Sequence, residues 1–325
     1  MNTAKPSLVI AALLLACKSL AVAQPTPPEP TRSLLVNVLD RHGNAVRDLT
    51  KENFQVKVNG HRVAIEEADY SLAPRRIVVL LDMSGSMAGQ NDTKWRVASG
   101  ALEDLLAQPP SNVPIALLTF SERVRDVFDF SQSRATMTAW LKETSKRQSN
   151  ELIHGKTALF DAVVAGAKML EPHHPGDALY VITDGGDDSS HVSETAVRKI
   201  LLASGIRLFV FLLDEPLMDP EQNGKDCAID LAHVSGGSVF GVPGQPRGTS
   251  FFHDWYDYGE RMRETITHYT QGLNLQVNGF CTLHLEVPVP PKNTTKISLE
   301  IVDPSGRRRK DVAVTYPTAL LPQDD

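Results

Sequence analysis

The sequence predicts an α/β fold: a doubly wound, mostly parallel sheet with helices on both faces, flanked by small β-rich segments. Three observations carry this. From about residue 76 to 242, short apolar runs alternate with stretches of helical period, the pattern of strand–helix units that feed a parallel sheet. The runs themselves (IVVLL at 77–81, PIALLTF at 114–120, ALYVIT at 178–183, IRLFVFLL at 206–213) are apolar throughout, as strands covered on both faces must be. On either side of this stretch the pattern changes to short alternating segments separated by turn residues.

In chain order, residues 1–23 read as a signal peptide. Lys5 supplies the positive start, Leu8–Ala16 the apolar run, and Ala21-Val22-Ala23 the small-residue cleavage site. The apolar run is too short to span a bilayer in the mature chain. Leu14-Leu15-Ala16-Cys17 offers a rival reading, a lipobox with a lipid anchor at Cys17. The chain is therefore expected to be secreted or periplasmic, with a membrane lipoprotein as the alternative. Residues 24–32 (QPTPPEPTR) form a proline-rich linker.

Residues 33–73 form an N-terminal β unit, with strands at 33–40, 53–58 and 62–69 and a hairpin signal at Asn59-Gly60. Residues 74–253 form the α/β domain, with helices expected at 93–107, 134–147, 157–170, 192–203 and near 226–234, and a strand near 238–242. Residues 254–325 form a C-terminal unit, with a helix at 254–267 and strands at 273–277, 281–288, 296–302 and 310–316. It is expected to pair with the N-terminal β unit, since both flank the same domain.

The 325 residues are 42% hydrophobic and 22% charged, an ordinary globular composition. A net charge of -6 argues against a general nucleic-acid binder. Of three cysteines, Cys17 lies in the leader. Cys227 and Cys281 remain as either a disulfide in an oxidising compartment or two buried thiols.

The chemistry concentrates where the first buried strand stops. In VVLLDMSGSM the run ends on Asp82, followed by Ser84 and Ser86 at every second position. One carboxylate and two hydroxyls begin an oxygen-donor site for a hard cation. Asp184 ends another strand in VITDGGDDSS, and in a parallel sheet such strand ends share the edge where ligands bind. A plainer reading makes Ser84 and Ser86 caps of the following helix.

Asp82-x-Ser84-x-Ser86, Thr157 in HGKTALFDAV and Asp184 in VITDGG together resemble the metal-ion-dependent adhesion site of the von Willebrand factor type A (VWFA, Rossmann-like) domain. LLTFSERVRDVFDFS and LAHVSGGSVF resemble the middle and late segments of that family, so the likeness spans roughly residues 75–250. The whole layout is also similar to that of bacterial exported VWFA-related proteins. The resemblance implies Mg2+, with Mn2+ or Ca2+ as alternatives. Ser84, Ser86 and Thr157 would be direct ligands, and Asp82 and Asp184 would act mainly through bound waters and hydrogen bonds to those hydroxyls. Neutral direct ligands leave the ion much of its charge, which then attracts an Asp or Glu of a partner protein. The function implied is an exported Mg2+-dependent binding module for adhesion or assembly, not an enzyme. The alternative is a metal-assisted hydrolase using the same cation.

Other motifs fall short. Gly155-Lys156-Thr157 lacks the earlier glycine of a phosphate loop, since Asn150 stands there. Met83-Ser84-Gly85 is not a Gly-x-Ser-x-Gly elbow. Asp187 and Asp188 read as solvated loop acids rather than a second cation site. His173-His174 reads as an exposed loop, and Arg307–Lys310 as a solvated hairpin.

Overall fold

A computed structural model describes residues 31–71, 75–88, 93–108, 113–146, 149–213, 225–241, 260–287 and 292–322. The signal segment, the Cys17 anchor and most of the linker lie outside these residues. Thr31 and Arg32, expected in the linker, already belong to the first strand.

The chain opens with β1 (Thr31–Asp40), β2 (Phe54–Val58) and β3 (His61–Ser71). Asn59 (φ 51°) and Gly60 (φ 79°) both take left-handed backbone, the geometry a two-residue hairpin needs between β2 and β3. The central region follows as β4 (Ile77–Asp82), α1 (Thr93–Ala107), β5 (Ile115–Phe120), β6 (Val124–Phe128), α2 (Arg134–Thr144), α3 (Ser149–Leu152) and α4 (Leu159–Met169). It continues through β7 (Ala178–Thr183), α5 (Glu194–Ser204), β8 (Arg207–Leu212), α6 (Lys225–Ser235) and β9 (Val239–Phe240). The last part holds α7 (Glu260–Asn278), β10 (Phe280–Glu286), β11 (Thr295–Ile301), β12 (Val312–Thr315) and β13 (Ala319–Leu320).

Six strands form the central sheet in the order β6-β5-β4-β7-β8-β9. All neighbours run parallel except β5 and β6. Every residue of β4, β5, β7 and β8 is buried, which explains why these segments read as unbroken apolar runs. Ile77, Val79 and Leu81 face one layer with α1, α2 and α7; Val78 and Leu80 face the other with α4, α5 and α6. The predicted doubly wound α/β fold is therefore the one observed. From β4 the chain moves to β5 on one side, and from β7 it moves to β8 on the other. The C-terminal ends of β4 and β7 thus flank the point where strand order reverses, the place such sheets bind ligands.

Two expectations need correction. Residues 273–277, read as a strand, are the last turns of the 19-residue α7. LNLQV alternates, but Leu273 and Val277 also stand four apart, and both are fully buried on one helix face. That face packs on the α/β layer beside α1, where Thr267 Oγ1 donates to Asp104 Oδ1 at 2.9 Å. Residues 124–128 were not read as a strand. β6 is an edge strand with mostly half-buried residues, so its sequence carries no apolar run.

The second sheet is antiparallel throughout, in the order β12-β1-β10-β3-β2-β11-β13, and draws strands from both ends of the chain. Its joint to the central sheet is organised by Arg207, fully buried at the start of β8. Its guanidinium donates to Asn37 Oδ1 (2.9 Å) and to the carbonyls of Gln276 (2.8 Å), Val277 (3.0 Å) and Gly176 (3.2 Å), and lies over Phe280. One side chain therefore binds β1, the end of α7, the loop before β7 and β10. No disulfide joins Cys227 and Cys281. Cys281 is buried in the antiparallel core, and Cys227 packs on the α4–α6 side of the parallel sheet.

Candidate metal centre

Asp82 is the last residue of β4 and has no exposed surface. Its Oδ1 accepts from the Ser84 backbone N–H at 2.8 Å, and its Oδ2 accepts from Thr183 Oγ1 at 2.6 Å. The Met83 N–H donates to Phe120 O on β5 at 2.7 Å, and the Met83 side chain is fully buried. The turn after β4 is therefore anchored on both neighbouring strands. Ser84 Oγ lies 3.1 Å from Ser86 Oγ, and Ser86 Oγ donates to Asp184 Oδ1 at 3.0 Å. These hydroxyls do not cap α1, which begins only at Thr93. They form a chain that leads from the β4 turn to the β7 turn.

Backbone contacts hold the third loop against the first. The Gly85 N–H donates to Gly155 O at 2.9 Å, and the His154 N–H donates to Met83 O at 3.1 Å. Thr157 is 6% exposed. Its N–H donates to Asp188 Oδ1 at 2.7 Å, and its carbonyl accepts from the Asp188 and Ser189 N–H groups at 2.9 and 3.1 Å. Asp187 Oδ1 and Ser190 Oγ then accept from the Phe160 and Asp161 N–H groups, both at 3.1 Å, satisfying the first turn of α4. Asp188 is exposed and Asp187 half-buried, as loop acids in contact with solvent would be, and both also fasten the Thr157 loop to the β7 turn.

Hydrogen bonds link Asp82, Ser84, Ser86 and Asp184 in a chain, and backbone bonds at Gly155 and Asp188 hold the Thr157 loop against the two turns that carry them. Asp82, Ser84, Thr157 and Asp184 are buried, while Gly85, Ser86, His154, Gly155 and Lys156 are exposed. The site thus has a protected base and an open mouth. Burial, and then the charge of Asp184, push the Asp82 carboxyl up to about 7. Two carboxylates beside three hydroxyls, with no soft donor among the five, suit a hard divalent cation, which favours both acids ionised.

Sequence reasoning missed Thr183, Lys94 and Asp188. Thr183 grips Asp82, Asp188 holds Thr157, and Lys94 Nζ pairs with Asp184 Oδ2 at 2.8 Å. Thr183 precedes Asp184 directly, and Asp188 lies four residues beyond it. Nothing local marks Lys94, which reaches the site only because α1 starts beside it.

The remaining motifs have ordinary partners. Arg307, Arg308 and Arg309 pair with Asp303, Glu300 and Asp311. A separate group of Glu67, Asp69 and His284 lies on the antiparallel sheet, where His284 Nε2 and Asp69 Oδ2 are 3.3 Å apart.

Residues 77–186 match the von Willebrand factor type A domain family. Among solved structures, an aerotolerance-related membrane protein from Bacteroides fragilis is similar at 16% identity and a TM-score of 0.44, covering 63% of this chain and 98% of that one. BatB from Bacteroides thetaiotaomicron is similar at 12% identity and a TM-score of 0.40, covering 62% and 98%. A von Willebrand factor type A protein from Catenulispora acidiphila is similar at 12% identity and a TM-score of 0.43, covering 86% and 64%. Comparison with curated proteins gave no match.

Proposed function

We propose that this protein, whose residues 77–186 match the von Willebrand factor type A domain family, is an exported binding module that uses a divalent cation to hold an acidic residue of a partner protein. The observation that carries this reading is the hydrogen-bonded chain of Asp82, Ser84, Ser86 and Asp184 at one partly open edge, with the Thr157 loop held against it. Ser84, Ser86 and Thr157 would ligate Mg2+ directly, with Mn2+ or Ca2+ as alternatives, and Asp82 and Asp184 would orient those hydroxyls and balance the charge. A bound cation supplies a coordination position for a partner's carboxylate oxygen. The chain's own residues supply the rest. Asp82 fixes the β4 turn, Asp188 fixes Thr157, and the exposed rim at Gly85, Ser86 and Lys156 leaves the carboxylate a way in.

Binding is favoured over metal-assisted hydrolysis. Among the described residues, the Ser84 hydroxyl is bonded to that of Ser86 and the Ser86 hydroxyl to Asp184, an arrangement that holds them as ligands rather than as nucleophiles. The signal-peptide pattern of residues 1–23 supports export, and no helix among the described residues is long and apolar enough to cross a membrane. The test is capture of partners from native envelope extract by the mature chain, in Mg2+ and in EDTA. Mg2+-dependent capture that is lost in Asp184→Ala fits the proposal. Capture indifferent to both, or metal-dependent turnover in phosphoesterase or peptidase assays, contradicts it.

A further inference from the structure

Asp184 carries two hydrogen-bonded partners of different kinds. Ser86 Oγ donates to Oδ1 at 3.0 Å, and Lys94 Nζ lies 2.8 Å from Oδ2. The ion pair is sheltered: the Lys94 and Asp184 side chains are 13% and 9% exposed. It is also long-range in sequence, reaching from the first turn of α1 to the end of β7. Lys94 is held there by its own helix. Trp95, the next residue, is buried, with Val97, Ala98, Ala101 and Leu102 behind it, so α1 cannot roll its first turn away without exposing that face. An ammonium this sheltered is costly to leave unpaired, which ties its position to Asp184.

We infer that Lys94 is a tethered cation that shares Asp184 with the divalent metal and thereby sets the metal affinity of the site. The inference rests on the metal reading above. Its physical basis is direct. A divalent ion ligated through Ser86 and balanced by Asp184 lies beside a fixed positive charge, and like charges in a sheltered site repel far more strongly than in water. Lys94 also takes one oxygen of the carboxylate that would otherwise serve the ion and its waters. Both effects weaken metal binding. Lys94 gives something in return: Asp82 and Asp184 together only neutralise a divalent ion, and the ammonium then leaves the loaded site with net positive charge, the sign that attracts a carboxylate. Loading would thus require a high free cation concentration, and the loaded site would be more anion-seeking.

The test is Mn2+ titration of the full mature chain, read by the loss of the free-ion electron paramagnetic resonance signal and by calorimetry. Wild type, Lys94→Gln, Lys94→Met and Lys94→Arg are compared at one pH and ionic strength, with circular dichroism as a check on folding. Two neutral variants are used so that one poorly folded protein does not decide the outcome. Lys94→Gln and Lys94→Met should each bind Mn2+ at least about tenfold more tightly than wild type. Lys94→Arg, which keeps the charge, should stay near wild type, an outcome that a purely packing role for Lys94 would not produce. Folded neutral variants that bind Mn2+ no more tightly than wild type overturn the inference and leave the metal reading standing. Failure of wild type and all three variants to bind overturns the metal reading and this inference with it.

Discussion

Asp82→Asn should stabilise the protein in EDTA at neutral and alkaline pH and lose that advantage in acid. The Asp82 carboxyl is buried and faces the charge of Asp184, and it is held at about 7 instead of 3.8. Because its folded value is raised, the folded state keeps this proton between about pH 4 and 7, where the unfolded chain has released it. Stability therefore falls as pH rises through that window and levels off above it. At 1.36 kcal/mol per pH unit, the loss between pH 4.5 and pH 8 is about 3 kcal/mol. Asparagine keeps the shape and still offers an oxygen to the Ser84 N–H, but it carries no charge to bury. The assay is urea denaturation of both proteins in EDTA at several pH values. Any constant offset from the substitution cancels in the comparison, and what remains is the change of the difference with pH. The difference in unfolding free energy, variant minus wild type, should grow by about 3 kcal/mol from pH 4.5 to pH 8. A difference that stays flat across that range would refute the electrostatic account of Asp82.

Arg207→Ala should cost about 3–5 kcal/mol in denaturant unfolding, because it strips the carbonyls of Val277 and Gly176 of this donor and leaves Gln276 O with Asn37 Nδ2 alone at the joint between the sheets; a cost below about 1 kcal/mol would contradict that role. The mature protein should contain two titratable thiols in denaturant and no disulfide. In the native state both should react slowly near neutral pH, since burial pushes the Cys281 thiol up to about 12, and burial with Glu194 nearby pushes Cys227 up to about 11. Mass spectrometry of the exported chain should give a start at Gln24; a diacylated product starting at Cys17 would place the protein on a membrane instead.

The parts of the fold that sequence revealed are those whose burial is complete. IVVLL and ALYVIT read as strands because both faces of β4 and β7 are covered, and 93–107 read as a helix because one face of α1 enters the core. β6 was missed because an edge strand need not be apolar. The end of α7 reads as a strand because five residues of alternating pattern suit a strand or little more than one helical turn equally well, and only packing against α1 decides between them. The same division holds at the site. Asp82, Ser84 and Ser86 are neighbours in the chain, and Thr157 and Asp184 follow recognisable strings. Lys94, Thr183 and Asp188 act through the fold, by pairing with or holding a residue on a different loop, so no local pattern announces them.

The central claim is that five oxygen-bearing side chains on three loops hold a divalent cation. Its most direct test is calorimetric Mg2+ and Mn2+ titration of wild type, Asp82→Ala, Thr157→Ala and Asp184→Ala, with circular dichroism recorded for each. None of the three truncated side chains belongs to either hydrophobic layer of the central sheet, so the account predicts unchanged spectra, saturable binding to wild type and binding weakened in every variant. In wild type alone, added metal should raise the unfolding temperature, by mass action on the folded state. Equal affinity in wild type and all three folded variants, or no binding to any of them, would contradict the account.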